Sequence, residues 1–325
     1  MIKYKCHSLI IGGTGQFGIT LKNQLNRKNK KVIITSRFKK SSIKKKKFEI
    51  VVLDIFNKQK ISMLIKRYKP QNIFYFAGQS SPSISFVKKN ETIQSNYIGC
   101  KNVLESIYKI DTSISFFYAA SSEIYGKIKG KISVKTKKYP VNPYGVAKLK
   151  GFNITKLYRE KYNLKAYNAI FFNSESTLRD KSFFIPKLCM AAINAHKYNF
   201  KTAFGNLDVK REWNWCDDQC ELLIKFLNKE PQDFIISHGK CLSAKKMLKF
   251  AFDYFNLDYK KYIFKDKIFL RPVDIKIKQS KYRESLIKNE IDKKNFTYGK
   301  KLINLMIKNY LKLNLLPNHG HRFKV

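Results

Sequence analysis

Tyr144 and Lys148 stand four residues apart in a stretch of helical spacing, which puts a phenol and an ammonium on one helix face. A cation beside a phenol favours the phenolate, so the pair predicts a Tyr144 pKa drawn down from its ordinary value of about 10 into a useful acid–base range. Upstream, Ala119-Ala120-Ser121-Ser122-Glu123 closes an apolar run and sets two hydroxyls and a carboxylate at the carboxyl end of a predicted strand, where open α/β sheets carry their chemistry. Ser121, Glu123, Tyr144 and Lys148 are therefore the candidate catalytic set. Each also has a plainer reading. A Tyr–Lys spacing of four recurs by chance, and Ser121 and Ser122 can cap a strand end that leaves Glu123 in water.

Gly12, Gly13, Gly15 and Gly18 lie between the first predicted strand and the first predicted helix, and read as G-x-G-x-x-G from Gly13 or G-x-x-G-x-x-G from Gly12. Glycines there permit a tight turn and let a dinucleotide pyrophosphate approach the backbone, where the helix amino terminus stabilises it. At the end of the second strand, where an NAD site carries an acid for the ribose 2′-hydroxyl, the chain reads Thr35-Ser36-Arg37-Phe38-Lys39-Lys40, with no acid before Glu49. A guanidinium in place of a carboxylate welcomes a 2′-phosphate, which predicts NADP as the cofactor, with Arg37 its main contact and Ser36 a second. The plainer reading of Arg37 and the lysine run after it is a solvated loop.

These groups need elements to hold them. HSLIIGG, VIITS, EIVVLD, NIFYFAG, SISFFYAAS, AYNAIFFN and DFIIS are short runs fit for buried strands, separated by helical stretches such as ETIQSNYIGCKNVLESIYKI and YGVAKLKGFNITKLYREKY. That alternation implies right-handed β-α-β crossovers, hence an α/β fold with a doubly wound parallel Rossmann sheet and a smaller C-terminal substrate-binding lobe. The expected division is 1–175 as the NADP-binding domain, with a returning segment at about 208–240, and 176–207 with 241–325 as the lobe capping the strand ends.

The 325 residues are 44% hydrophobic, enough to build a core and to exclude wholesale disorder. Against 23 acidic residues stand 66 basic ones, for a formal charge of +43, but only nine of these are arginine and the lysines are spread along the whole chain. Phosphate-clamping surfaces favour the arginine fork, so dispersed lysine reads as solvated surface: no specific nucleic-acid binding is expected, only adhesion to polyanions at low salt. No run approaches the roughly 18 apolar residues of a membrane span, and Ser8–Ile11 is too short for a signal peptide, so a soluble cytoplasmic protein without membrane association is expected. Six scattered cysteines predict buried free thiols, and neither they nor the five histidines show metal-ligand spacing, so no metal is expected.

GGTGQFG, FAGQSSPSISF, SSEIYG, NPYGVAK, FFNSES, FGNLDVKREW and FLRPVDI occur in the same order as similar stretches of the extended short-chain dehydrogenase/reductases. FFNSES and GNLDVKREW resemble the GDP-mannose 4,6-dehydratase branch in particular, and the resemblance runs over nearly the whole chain. It implies a lyase of nucleotide-sugar metabolism that converts GDP-mannose to GDP-4-keto-6-deoxymannose by internal hydride transfer through NADP that stays bound. In that reading Tyr144, helped by Lys148, takes the proton of the sugar 4-hydroxyl, and Ser121, where the family has a threonine, hydrogen-bonds the 4-oxygen. Glu123 removes the C5 proton and assists departure of the C6 hydroxyl.

The resemblance places Gly12, Gly15, Gln16, Phe17 and Gly18 on the cofactor, together with Ser36, Arg37, Asp54, Ile55, Ala77, Tyr144 and Lys148. It sets Gln79 and Ser85 along the sugar pocket with Asn173 and Glu175, Asn206 near the nucleotide, and Arg211 and Arg271 on the diphosphate. Two departures bear on assembly: the segment between Arg37 and Asp54 is shorter than the family's loop, and Leu178-Arg179-Asp180 replaces paired arginines and a glycine. A homodimer through helices at 88–110 and 142–162 is expected, and a tetramer is not. Other enzymes of the same fold remain open alternatives: a UDP-glucuronate decarboxylase, a 4-epimerase or a 4-reductase. Glu123 weighs against the last two, which need not remove a C5 proton.

Overall fold

A computed structural model describes residues 6–38, 50–270, 272–273, 275, 278–292 and 295–313. Its first half runs β1 (Cys6–Ile11), α1 (Gln16–Arg27), β2 (Val32–Ser36), β3 (Ile50–Val52), α2 (Lys58–Tyr68), β4 (Pro70–Tyr75), α3 (Lys89–Ile93), α4 (Gly99–Ile110), β5 (Ser115–Ser121), α5 (Pro143–Tyr162) and β6 (Ala166–Phe171). The second half adds β7 (Ser174–Glu175), α6 (Phe184–Tyr198), β8 (Thr202–Phe204), β9 (Lys210–Arg211), β10 (Asn214–Trp215), α7 (Cys216–Lys225) and β11 (Asp233–Ile236). It ends with β12 (Leu242–Ser243), α8 (Ala244–Asp253), β13 (Ile263–Lys265), α9 (Tyr282–Lys288) and α10 (Gly299–Lys312).

Seven strands pair in the order β11-β6-β5-β4-β1-β2-β3, and every pair is parallel. The order reverses between β1 and β4, which opens a crevice at their carboxyl ends, the place where a doubly wound sheet takes ligands. Strands covered on both faces need apolar runs without alternation, and β2, β5 and β6 supply them in VIITS, SFFYAAS and AYNAIF. Phe74, Phe117 and Tyr167 stack across three neighbouring strands, with centroids 5.0 and 4.3 Å apart.

One buried cluster joins this sheet to its flanking helices and includes residues of α7 and α9; a second packs α6, α8 and α10 around Trp213 and Phe204. All six cysteines are free thiols, five of them buried. Among the described residues no helix is long and apolar enough to cross a membrane.

Two helices matter for the site. Asn142 caps α5, its Oδ1 accepting from Gly145 N at 2.8 Å, and Pro143 follows where a missing N–H costs nothing. The helix expected over 88–110 is interrupted: α3 and α4 are joined by a π-helical turn, Gln94–Ile98. The Tyr75 and Tyr118 phenols reach out of the sheet to the Ser95 and Asn96 carbonyls at 2.6 and 3.0 Å, satisfying acceptors that a wider turn releases.

Candidate active site

At the carboxyl ends of β1, β4, β5 and β6 the sheet and the C-terminal part of the chain enclose a cavity of about 300 Å³. The glycine turn contributes Gln16 and Phe17, and the segment after β4 contributes Gln79. The end of β5 gives Ser121 and Glu123, α5 gives Tyr144 and Lys148, and the segment after β6 gives Asn173, Glu175 and Arg179. Arg211 and Trp213 complete the lining. Residues separated by nearly two hundred positions thus meet around one cavity.

Burial and neighbours give each group a distinct charge state. Burial alone would push the Glu123 carboxyl up, but the Lys278 ammonium against it, Asn142 Nδ2 donating to Oε2 at 2.8 Å and the nearby Arg211 hold it down at about 2. Burial pushes the Tyr144 phenol up to about 12; the charge of Glu123 adds to this, while a hydrogen bond with Ser121 works against it. The expected lowering of Tyr144 is therefore not what the structure shows. Lys148 Nζ donates to the Ala119 carbonyl at 2.8 Å and sits 5.8 Å from the centre of the Tyr144 ring, and burial draws the amine itself down to about 8. Desolvation is the largest cause of both shifts. Ser121 does two things at once, bonding Tyr144 and, as a cap, accepting from Glu123 N at 3.2 Å.

Glu175 is buried beside Arg179, whose Nη1 bonds Oε1 and also the Ser174 carbonyl at 2.7 Å. Burial still raises the Glu175 carboxyl, and its Oε2 has no hydrogen-bond partner among the described residues. Gln16 ties the glycine turn to this wall, donating to Ser174 O at 3.4 Å and accepting from Ser176 Oγ at 2.9 Å.

The glycine turn has the shape a dinucleotide needs. Gly12 has φ +82°, and a Cβ there would meet Ala77 N at 2.5 Å, so the turn packs directly on the end of β4. Gly15 begins α1 without a side-chain cap, and a Cβ there would have only Gly12 O nearby, at 3.6 Å: the helix amino terminus faces an open, backbone-lined cradle. Gly18 is buried in α1 behind it. Ser36 ends β2, within 3.4 Å of Thr14 Oγ1. Arg37 is exposed, lies over the Phe38 ring and approaches Glu91 at 3.7 Å, so the fold brings an acid to this corner although the local sequence has none. Asp54 Oδ1 accepts from Phe56 N, and the Ile55 carbonyl accepts from Asn102.

Two of the substrate-binding candidates, Ser85 and Asn206, are not among the residues lining the cavity. Ser85 lies behind it, accepting from Tyr144 N at 3.1 Å and so fixing the first turn of α5. Asn206 is exposed and closes a turn with Asp208 N at 2.9 Å. Arg271 lies outside the described residues, as does the lysine run at 39–47.

Sequence reasoning missed Lys278 and Asn142, the two partners of the Glu123 carboxylate. Asn142 had a signal, an Asn-Pro pair at a helix start, but a cap and a carboxylate partner in one side chain is a tertiary fact. Lys278 had none, being one lysine among dozens.

Residues 9–293 match the sequence pattern of the GDP-mannose 4,6 dehydratase family. The chain belongs to that family. Within it, the chain is 32% identical over 204 residues to GDP-mannose 4,6 dehydratase of Drosophila melanogaster, covering 61% of this chain and 52% of the relative. To the Homo sapiens protein of that name it is 34% identical over 195 residues, 58% of this chain and 52% of the relative. The chain thus spans about half the length of the curated GDP-mannose 4,6 dehydratases it matches. In fold it is similar to UDP-glucose 4-epimerase of Thermotoga maritima, with TM-score 0.84 at 17% identity over 95% of this chain and 99% of that one. It is similar also to dTDP-glucose 4,6-dehydratase of Bacillus anthracis in complex with NAD, with TM-score 0.82 at 18% identity over 96% and 98%.

Proposed function

We propose that the chain is a hydro-lyase, a nucleotide-sugar 4,6-dehydratase that converts GDP-mannose to its 4-keto-6-deoxy product with a nicotinamide dinucleotide, NADP, held at the glycine turn. The observation that carries this reading is the convergence of Glu123 with Ser121, Tyr144 and Lys148 on one cavity, beside a cradle suited to a pyrophosphate. The curated relatives, named for this activity, support it.

Gly12, Gly15 and the start of α1 would hold the pyrophosphate, and Ser36 and Arg37 the adenosine ribose with its 2′-phosphate. When bound, the dinucleotide would supply the acceptor for hydride from C4 and then the donor of that hydride to C6, so the ketone stays in the product and no net redox occurs. The chain's own residues do the proton work. Ser121 and Tyr144 grip the sugar 4-oxygen, and Tyr144 receives its proton. A ketone at C4 acidifies the C5 hydrogen, and Glu123, ionised in the cavity wall, accepts that proton and returns it to the departing C6 oxygen. Arg211, buried in the cavity lining near Glu123, offers a bidentate fork for a diphosphate. Trp213 and Phe17 exclude water from the same space.

Purified protein given NADP and GDP-mannose should yield a product one water lighter, carrying solvent deuterium at C5. No loss of water from protein that is folded and has cofactor bound refutes the assignment. For the cofactor, Arg37→Ala should weaken NADP about tenfold or more while leaving NAD nearly unchanged, measured as paired dissociation constants by calorimetry. Equal losses for both would argue that Arg37 does not read the 2′-phosphate.

A further inference from the structure

Late in the chain, the segment 278–280 crosses back to the cavity and is fastened from three sides. Lys278 N donates to Lys210 O at 3.3 Å, and its own carbonyl accepts from Cys241 Sγ at 3.5 Å. Glu212, fully buried next to Arg211, takes Ser280 N and Ser280 Oγ on its two oxygens, and also Ser237 Oγ and Gly239 N. Ile132 bridges the same segment, donating to Gln279 O at 2.8 Å and accepting from Lys281 N at 2.7 Å. The product of this stitching is one lysine side chain, 1% exposed, whose ammonium rests on Glu123 Oε1.

We propose that Lys278 is the positioning residue for the Glu123 carboxylate, holding it ionised in the cavity wall and returning it to that state after each proton it takes. The inference rests on the dehydratase reading. In that reaction the C5–H bond breaks and its proton passes to Glu123. The electron pair forms a C5–C6 double bond as the C6–O bond breaks, and the oxygen leaves as water with the proton that Glu123 gives up. A carboxylate held near 2 is a weak base and, once protonated, a strong acid. The ketone makes C5 easy to deprotonate, so the demanding half is expulsion of hydroxide, and an adjacent ammonium favours that half by driving the proton off Glu123. Among the described residues, the other groups facing Glu123 are Arg211 from β9, the Asn142 amide and the Tyr144 phenol from the start of α5. Of these only Arg211 adds positive charge, and the Lys278 charge contributes more than the Arg211 charge.

The test is Lys278→Met, a neutral side chain of similar length, with Lys278→Arg as the conservative rescue. Infrared titration without substrate, with Glu123→Gln subtracted to mark the band, reads the ionisation of Glu123 directly. Wild type and Lys278→Arg should show carboxylate alone at about pH 6, and Lys278→Met should show the protonated carboxyl there. With GDP-mannose, C5 deuterium uptake by Lys278→Met should fall about tenfold from about pH 8 to about pH 6, while wild type stays flat. The hydride step at C4, read by nicotinamide absorbance, should show no such limb in either. If Glu123 in folded Lys278→Met stays ionised at about pH 6, Lys278 does not set its state and the proposal is wrong. Because the infrared result needs no substrate, it stands apart from the assignment of activity, which fails only if wild type loses no water from GDP-mannose.

Discussion

Glu123 and Glu175 are two carboxyls of one cavity, each raised by burial and lowered by a cation: at half-buried Glu123 Lys278 and its other partners win, and at buried Glu175 burial wins over Arg179. One is equipped to exchange protons and the other to accept a hydrogen bond on its vacant Oε2. It follows that Glu123→Gln should leave hydride transfer at C4 intact while water loss falls by about 10² or more, and that Tyr144→Phe should impair the first step itself. Rapid-quench mass analysis separates the two, since only the former accumulates the 4-keto sugar. Lys148 carries a consequence for stability. Its folded pKa of about 8 lies below the ordinary 10.5, so between those values the unfolded chain holds the extra proton and folding becomes more favourable as pH rises. Below about 8 the full penalty applies. Denaturant melts of wild type and Lys148→Met should therefore differ by an amount that changes between pH 8 and 10 in wild type's favour; a constant difference would show that Lys148 is not desolvated.

At the scale of elements, much was written in the chain. VIITS, SISFFYAAS and AYNAIFFN are apolar on both faces, so their strand state and central place follow from composition, and the glycine turn between β1 and α1 follows from spacing. The π turn at Gln94–Ile98 was not written there, because it depends on two phenols arriving from β4 and β5. Nor was the meeting of Arg37 with Glu91, more than fifty residues apart, or the Lys278 partner of Glu123, for the same reason: a charge pair leaves no periodicity. The Tyr144–Lys148 expectation erred in sign because spacing reports proximity but not desolvation. The glycine turn offers a test at its own scale. Gly12→Ala places a methyl at 2.5 Å from Ala77 N in a left-handed conformation, so it should lower the melting temperature and abolish the thermal shift given by NADP. A variant that melts and binds like wild type would mean that β1 and β4 can part without loss.

For the molecule as a whole, a formal charge of +43 on 325 residues is a standing repulsion, carried mostly by lysines on the surface. Melting temperature should rise with salt as that repulsion is screened, and retention on heparin should vanish steeply with salt. A salt-independent melt would show that this repulsion does not limit stability. The late return of the chain sets a different constraint. α9 puts Tyr282 and Leu286 into the core of the sheet, and Ser285 Oγ accepts from Ile235 N on the edge strand β11 at 3.0 Å. The last element of the parallel sheet is thus finished by residues made some fifty positions later, from beyond the segment that bears Lys278. One stretch, 278–291, therefore serves both ends of the fold: it brings the ammonium that rests on Glu123 and, through α9 and Ile291, part of the cover of the sheet edge at β11, so a disturbance of that stretch reaches the cavity wall and the sheet edge together.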